Sequence, residues 1–176
     1  MKTTKEIYLA GGCFWGLEMY MQNVAGVLET EVGYANGPAD RANPTYEDVC
    51  KSSGHAEVCR VIYDDAVSGL DFILQRYFGV INPVSVNKQG EDAGVQYRTG
   101  IYYTDKSDHS VIDYCLNLLQ DHYDEPIAVE AMPLTNYYPA EEYHQEYLKK
   151  NPGGYCHISP LEIEEVKQFR DEKKVM

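Results

Sequence analysis

The chain is poor in basic residues and has no long apolar run. Its 15 lysines and arginines face 28 aspartates and glutamates, which gives a net charge of −13. Such a balance does not favour binding to nucleic acid or to an anionic membrane surface. No stretch approaches the roughly 20 apolar residues of a membrane span, and no signal peptide pattern is visible. We therefore expect a cytoplasmic protein without nucleic-acid or membrane partners.

The sequence also lacks any Cys-x-x-Cys pair. Its five cysteines are odd in number and widely scattered, at positions 13, 50, 59, 115 and 156. Neither a zinc site nor a secreted disulfide framework fits that spacing, so we expect no bound metal. One or two working thiols in a reducing compartment is the interpretation that fits best.

The hydrophobic pattern predicts alternating strands and helices in a single domain, residues 1–176, long enough to bury a core. Predicted strands cover 6–10, 30–35, 58–63, 99–103 and 128–132. Predicted helices follow Cys13 and cover 69–78, 108–122, 139–150 and a tail helix at 159–176. Two long stretches, 36–57 and 80–98, read as irregular loops. Together these segments predict an α/β (α+β) two-layer sandwich, a sheet covered by helices with long loops at one rim.

Cys13 lies where an apolar strand changes into a helical pattern, directly after Gly11-Gly12. The unpaired N–H groups and positive dipole end of a helix N-terminus favour a thiolate over a thiol. The only tryptophan, Trp15, follows two residues later and lies off the apolar stripe, which suggests an exposed indole. Local sequence leaves two readings open, a reactive thiol and a small buried residue. A lipoprotein processing site is excluded because Glu6 interrupts the short segment before Cys13.

Other segments carry side chains suited to catalysis. Glu57 stands at the mouth of a predicted strand, where partial desolvation raises the pKa of a carboxyl and makes it a general acid; a plain surface carboxylate is the alternative. The segment His-x-Glu also opens the zinc deaminase signature, but its Pro-Cys-x-x-Cys partner is missing. Tyr46 and Tyr97 lie in the two long loops, and Cys156 follows a Gly-Gly segment.

Taken together, these segments resemble the type A methionine sulfoxide reductases, or peptide-methionine (S)-S-oxide reductases. The matching blocks occur in the family's order: GCFWG (12–16), VGY (32–34), NPTYEDVC (43–50), GHAE (54–57), GVQYR (94–98), YHQ (143–145) and NPGGYC (151–156). They extend over most of the chain, and six or more blocks in order are highly specific. The resemblance implies a mixed sheet with a ferredoxin-like core.

The resemblance also implies a role for each matched residue. Cys13 is expected to attack the sulfoxide sulfur while Glu57 protonates its oxygen, and Tyr46 and Tyr97 hydrogen-bond that oxygen. Phe14 and Trp15 are expected to hold the S-methyl group. Asp92 and His144 match positions near the substrate.

A catalytic cycle follows from the same resemblance. Reduction of the S epimer, free or in proteins, leaves a sulfenic acid on Cys13, which Cys156 resolves as a disulfide and thioredoxin reduces; dithiothreitol replaces thioredoxin in vitro. The expected protein is a monomeric repair enzyme of oxidative stress without a bound cofactor. Cys50 and Cys59 are expected to be structural, and Cys115 to lie in the core.

Two other classes of function compete with this one. A cysteine hydrolase or amidotransferase would use Cys13 with His55 or His144 as base and would not need Cys156. A redox-sensing or scaffold protein would oxidise the pair without producing methionine.

Overall fold

A six-stranded mixed sheet forms the centre of the protein. The computed structural model describes residues 3–175, with side chains described to residue 170. The strands are β1 Thr4–Ala10, β2 Val27–Ala35, β3 Ala56–Asp64, β4 Lys88–Gln89, β5 Asp92–Ala93, β6 Gly100–Tyr103, β7 Glu130–Pro133 and β8 Tyr137–Pro139. The α-helices are α1 Phe14–Met21, α2 Tyr46–Cys50, α3 Leu70–Phe78, α4 Asp108–Gln120, α5 Tyr147–Lys150 and α6 Pro160–Val175. Short 3-10 helices cover Val95–Tyr97 and Glu142–His144.

The sheet has the order β7-β6-β1-β3-β2-β8, and β4 pairs with β5 in a separate hairpin. β6 and β7 run parallel, whereas β1, β2, β3, β6 and β8 pair with their neighbours in antiparallel register. The central strands β6-β1-β3-β2, with α1 and α3 as connections, form the ferredoxin-like βαββαβ arrangement. The predicted fold class is confirmed.

Strand alternation places the main core between the sheet and the helices. Ile7 and Leu9 of β1 are fully buried with residues of α1, α3, α4 and α6, whereas Tyr8 and Ala10 belong to a separate cluster on the opposite side of the sheet. Cys59 and Cys115 lie in the main core, as predicted for Cys115 and in agreement with a structural Cys59.

The predicted helix at 139–150 is wrong. The segment instead contains the end of β8, the 3-10 helix Glu142–His144 and α5. The Gln145 amide pairs with the backbone of β2, with its Nε2 donating to the Val32 oxygen at 2.8 Å and its Oε1 accepting from the Val32 nitrogen at 2.9 Å. Glu146 then adopts a left-handed conformation, with φ of 52°, and its N–H donates to Glu18. These contacts to distant residues replace the helical hydrogen bonds.

The two stretches predicted as irregular contain short regular elements. α2 begins with a capping box in which Thr45 and Asp48 satisfy each other's backbone N–H groups. The hairpin β4–β5 lies in the second stretch. The Arg98 guanidinium donates to the carbonyls of Gly54 and Asn36 and so ties the two stretches together at one rim of the sheet.

The starts of α6 and α3 are capped differently. At α6 the Ser159 N–H donates to Glu162 and the Glu162 N–H donates to the Ser159 hydroxyl, which is a capping box. α3 is capped by Gly69, and the Ser68 hydroxyl before it donates to the Ala25 carbonyl. Within the described residues, none of the helices is long and apolar enough to cross a membrane. The end of the predicted tail helix, Met176, lies outside the described residues.

Candidate active site

Cys13 is the N-terminal cap of α1, directly after the end of β1, and only 8% of it is exposed. The preceding Gly12 has φ of +80°, a conformation that favours glycine. The N–H groups of Trp15 and Gly16 lower the pKa of the Cys13 thiol, as a helix N-terminus predicts. Burial and the nearby Glu57 carboxyl outweigh them, so the net shift in the pKa of the thiol is upward, opposite to the effect of the helix N-terminus alone.

Glu57 lies on β3 and is 1% exposed. β3 pairs with β1 in antiparallel register, with Val58 opposite Ala10, so Glu57 reaches the strand end that carries Cys13. Its Oε1 accepts a 3.2 Å hydrogen bond from the Phe14 N–H, and its buried Oε2 has no partner among the described residues. Burial raises the pKa of Glu57 to about 8, so the carboxyl is mostly neutral at pH 7.

Two tyrosines of the rim lie close to this carboxyl. Tyr46 is the first residue of α2, and Tyr97 ends the 3-10 helix at Val95–Tyr97. Burial and the charge of Glu57 raise the pKa of both hydroxyls, and Cys13 adds to the shift of Tyr97. Both phenols therefore remain protonated donors near Glu57, and Tyr97 also lies near Cys13.

An aromatic wall adjoins Cys13. Phe14 is 1% exposed, while Trp15 is only partly buried and stacks on Tyr147, with centroids 3.7 Å apart and planes at 11°. The indole is thus less exposed than its position off the stripe suggests. Its Nε1–H donates to His144 Nδ1 at 3.0 Å, and burial lowers the pKa of His144, so this imidazole is neutral and carries its proton on Nε2.

Glu141 connects these parts, and the sequence analysis missed it. Its carboxylate accepts from the Tyr34 hydroxyl at 2.9 Å and from the Tyr46 N–H at 3.2 Å. Tyr34 in turn packs against Phe14, with ring centroids 5.8 Å apart. These partners lie 107 and 95 residues away in the chain, so no local pattern marks Glu141. The prediction of one helix over 139–150 likewise gives no indication that Tyr147 stacks on Trp15.

Cys156 lies beside the same helix start. It is a free, partly buried thiol, and a Cβ added at Gly16 would lie 3.2 Å from its sulfur. The thiol donates to the Ile158 carbonyl at 3.2 Å. Asp92 of β5 accepts a hydrogen bond from the Tyr155 hydroxyl at 3.1 Å, which links the β4–β5 hairpin to the segment that carries Cys156.

The remaining candidates are separate from the Cys13 thiol. His55 is fully buried and pairs through Nδ1 with the Ser53 hydroxyl at 2.9 Å. Among the described residues, neither His55 nor His144 is hydrogen-bonded to Cys13, so no cysteine–histidine pair of the kind a hydrolase uses is formed. Cys50 is exposed at the end of α2, so it is not a core residue, and its expected structural role stays a prediction. Within the described range, no cluster of three or more histidine, cysteine, aspartate or glutamate side chains is suited to a metal ion.

A buried thiol, a neutral carboxylic acid, two phenol donors and a second free thiol define a thiol-based oxidoreductase. The peptide methionine sulfoxide reductase family model matches residues 5–175. The chain belongs to this family.

Individual relatives agree with that assignment. Peptide methionine sulfoxide reductase MsrA of Lachnoclostridium phytofermentans is 53% identical over 164 residues, which cover 93% of this chain and 98% of the relative. The reduced form of Mxr1 from Saccharomyces cerevisiae has a TM-score of 0.84 and 36% identity, covering 89% of this chain and 92% of Mxr1. A structure of Mxr1 in complex with Trx2 matches with a TM-score of 0.58 and 24% identity, covering 82% and 85%.

Proposed function

We propose that Cys13 is the nucleophile and Glu57 the general acid in the reduction of methionine S-sulfoxide. The observation that carries this proposal is the neutral, buried Glu57 carboxyl, anchored through Oε1 to the residue after Cys13. Oxide is a poor leaving group, so the S–O bond breaks only when the oxygen is protonated. A positioned acid contributes about 10²–10⁴-fold to such a step.

The step balances within the pair of residues. The Cys13 thiol loses its proton and its sulfur bonds to the sulfoxide sulfur, while Glu57 gives its proton to the oxygen. The methionine S–O bond and the new S–S bond then break as the hydroxyl bonds to the Cys13 sulfur. Methionine leaves, Cys13 is left as a sulfenic acid, and the proton lost by the thiol restores Glu57. Burial is the main cause of the raised pKa of Cys13, and the charge of Glu57 is the second. A neutral Glu57 removes this second cause, so the N–H groups of Trp15 and Gly16 then oppose mainly the effect of burial.

The surrounding side chains stabilise the oxygen and orient the substrate. Tyr46 and Tyr97 donate hydrogen bonds to the oxygen as charge builds on it, the role of an oxyanion hole. Phe14 and Trp15 hold the S-methyl group, so that one sulfoxide epimer presents its sulfur to Cys13. His144 fixes the Trp15 indole through their 3.0 Å hydrogen bond, and Asp92 fixes Tyr155 beside the substrate.

Cys156 resolves the sulfenic acid as a Cys13–Cys156 disulfide, and thioredoxin reduces it. The contact of the Cys156 sulfur with Gly16, in the first turn of the helix that Cys13 caps, supports this pairing. The yeast relative Mxr1, seen in complex with Trx2, supports thioredoxin as the reductant. Five free cysteines fit a cytoplasmic location.

The test is reduction of the S and R epimers of free and peptide-bound methionine sulfoxide, with dithiothreitol or thioredoxin as reductant. Cys13→Ser should abolish methionine formation from the S epimer, whereas the matched variant Cys115→Ser, which alters a buried thiol of α4, should retain it. Substantial activity of Cys13→Ser would remove Cys13 from the nucleophile role. Thioester formation on amide substrates without methionine production would favour a hydrolase.

A further inference from the structure

The imidazole of His157, the residue after Cys156, lies between Gly12, which precedes Cys13, and Gly16, in the first turn of α1. A Cβ at Gly12 would lie 3.1 Å from His157 Nε2, and a Cβ at Gly16 would lie 3.0 Å from His157 Nδ1. Any larger side chain at either position would meet the ring. The glycines therefore let His157 approach the backbone on both sides of Cys13.

The hydrogen bonds of His157 fix its tautomer. Its Nε2 lies 3.1 Å from the Gly11 carbonyl oxygen, which can only accept, so Nε2 carries the proton. Nδ1 is then an unprotonated acceptor. It is buried and has no hydrogen-bond partner among the described residues. Native structures rarely bury an acceptor without a use, so this nitrogen requires an explanation.

The Cys156 thiol lies near this free acceptor, although in the resting structure it donates to the Ile158 carbonyl. Nδ1 and the Cys156 sulfur are 3.0 and 3.2 Å from one point, the position of a Cβ on Gly16. Burial raises the pKa of the Cys156 thiol, so the thiol needs a base to become a nucleophile near neutral pH. Burial lowers the pKa of His157, so its imidazole is neutral and able to accept a proton.

We propose that His157 is the proton acceptor for Cys156 in the step that forms the disulfide. This inference rests on the proposed function of Cys13 and Cys156. Nδ1 takes the thiol proton, and the Cys156 sulfur attacks the sulfenic sulfur of Cys13. The Cys13 S–O bond breaks, the oxygen leaves as hydroxide, and the imidazolium returns the proton to give water. One thiol and one sulfenic acid thus become one disulfide and one water, with no external reactant.

The charged groups around His157 are compatible with this role. Asp92 on β5 and Glu162 on α6 both face the imidazole and raise its pKa, while burial lowers it more. Glu162 also raises the pKa of the neighbouring Cys156 thiol. The carboxylates stabilise the imidazolium formed during the step, which favours transfer to Nδ1. The raised pKa of the thiol opposes its ionisation, which is why the thiol needs a base.

The discriminating variant is His157→Gln. The Gln side chain places an amide N–H near the position of Nε2 and keeps the hydrogen bond to Gly11, but it has no titratable base. Reduced protein, in buffer from which all added thiol reductant has been removed, is mixed with one equivalent of methionine S-sulfoxide. Methionine release is followed by rapid quench, and the Cys13–Cys156 disulfide is followed by peptide mass mapping, from pH 6 to pH 10.

We expect His157→Gln to release methionine at the wild-type rate but to form the disulfide about 10²-fold more slowly at pH 7, the lower end of a positioned base's contribution. The deficit should shrink toward pH 10, because the thiol then ionises without a base. A second variant, His157→Ala, should show the same defect and recover on addition of imidazole, which enters the vacated slot.

The contrary outcomes are equally distinct. A His157→Gln variant with the wild-type rate and pH profile would overturn the inference, as would a deficit that is equal at every pH and does not respond to imidazole, since that pattern indicates docking alone. Failure of the wild type to release methionine would instead refute the proposed function. Methionine release by the wild type without a Cys13–Cys156 disulfide would refute the resolving role of Cys156.

Discussion

Replacement of Glu57 by Gln is the sharpest perturbation of the proton donor. The amide retains an oxygen that accepts from the Phe14 N–H, so the start of α1 keeps its anchor, but the side chain loses the proton that the carboxyl transfers. With a pKa of about 8, about nine-tenths of Glu57 is protonated at pH 7. At pH 7 nearly every wild-type molecule therefore carries the proton to be donated, and no Glu57→Gln molecule does.

The expected loss in the rate of methionine formation is about 10²–10⁴-fold, or roughly 3–5 kcal/mol in activation free energy. The lower end applies if Tyr46 and Tyr97 still stabilise the oxygen. The wild-type rate should also fall as pH rises through about 8, because the donor ionises there. The variant should lack that fall.

Single-turnover methionine release by rapid quench from pH 6 to pH 9.5 measures both effects without the recycling steps. The matched control is Glu164→Gln, an exposed glutamate of α6 whose loss should leave the rate and the pH profile unchanged. A Glu57→Gln rate within threefold of wild type would refute the general-acid role. So would an unchanged fall near pH 8 in the variant.

Three further outcomes are expected. The pKa of Glu57 is about 8 when folded and about 4.3 when unfolded, so the folded chain binds more protons between these pH values and wild-type stability should fall as pH rises across that range. In calorimetry from pH 5 to pH 9, the Tm of Glu57→Gln should therefore rise relative to the Tm of the wild type. A Tm difference that stays constant with pH would contradict the burial effect. Cys156→Ser should release one methionine and accumulate a dimedone-reactive sulfenic acid, and normal thioredoxin-driven turnover would point to another resolving thiol. In Glu141→Gln an amide N–H replaces one of the oxygens that accept from the Tyr34 hydroxyl and the Tyr46 N–H, so the free energy of unfolding should fall by about 1–3 kcal/mol and methionine release should slow at unchanged KM. A wild-type unfolding free energy together with a wild-type release rate would exclude a positioning role for Glu141.

Local patterns predict those elements of the fold that are also stabilised locally. Alternation in β1 and the apolar stripes of α3 and α4 match the core that these residues build. The segment 139–150 has a helical pattern, yet the Gln145 side chain pairs with β2 and the Glu146 N–H bonds to Glu18, both more than 100 residues away. Tertiary contacts of that kind override propensity, and sequence periodicity does not contain them.

The candidate site divides in the same way. Cys13 is marked by its own neighbours, because a strand, two glycines and a helix are contiguous in the chain. The position of Glu57 at the start of an apolar strand leaves both a desolvated acid and a surface carboxylate open. The packed sheet decides between them, because it buries Glu57 and so raises its pKa. His157 stands next to Cys156, and a histidine adjacent to a candidate resolving cysteine was a usable signal. Its free Nδ1 is evident only from the hydrogen bond of Nε2 to Gly11.

Burial keeps the titratable groups of this site in their neutral, protonated forms. It raises the pKa of Cys13, Glu57 and Cys156, so the resting enzyme keeps its thiols protonated and its carboxyl neutral. A protonated thiol is a weak nucleophile toward stray oxidants, whereas in the proposed step the sulfoxide substrate brings an oxygen that takes the Glu57 proton. Cys13 then reacts only with a molecule that, in one bound orientation, accepts the Glu57 proton and presents a sulfur atom to the thiol. The raised thiol pKa, contrary to the expectation from the helix N-terminus alone, is therefore compatible with catalysis and favours selectivity.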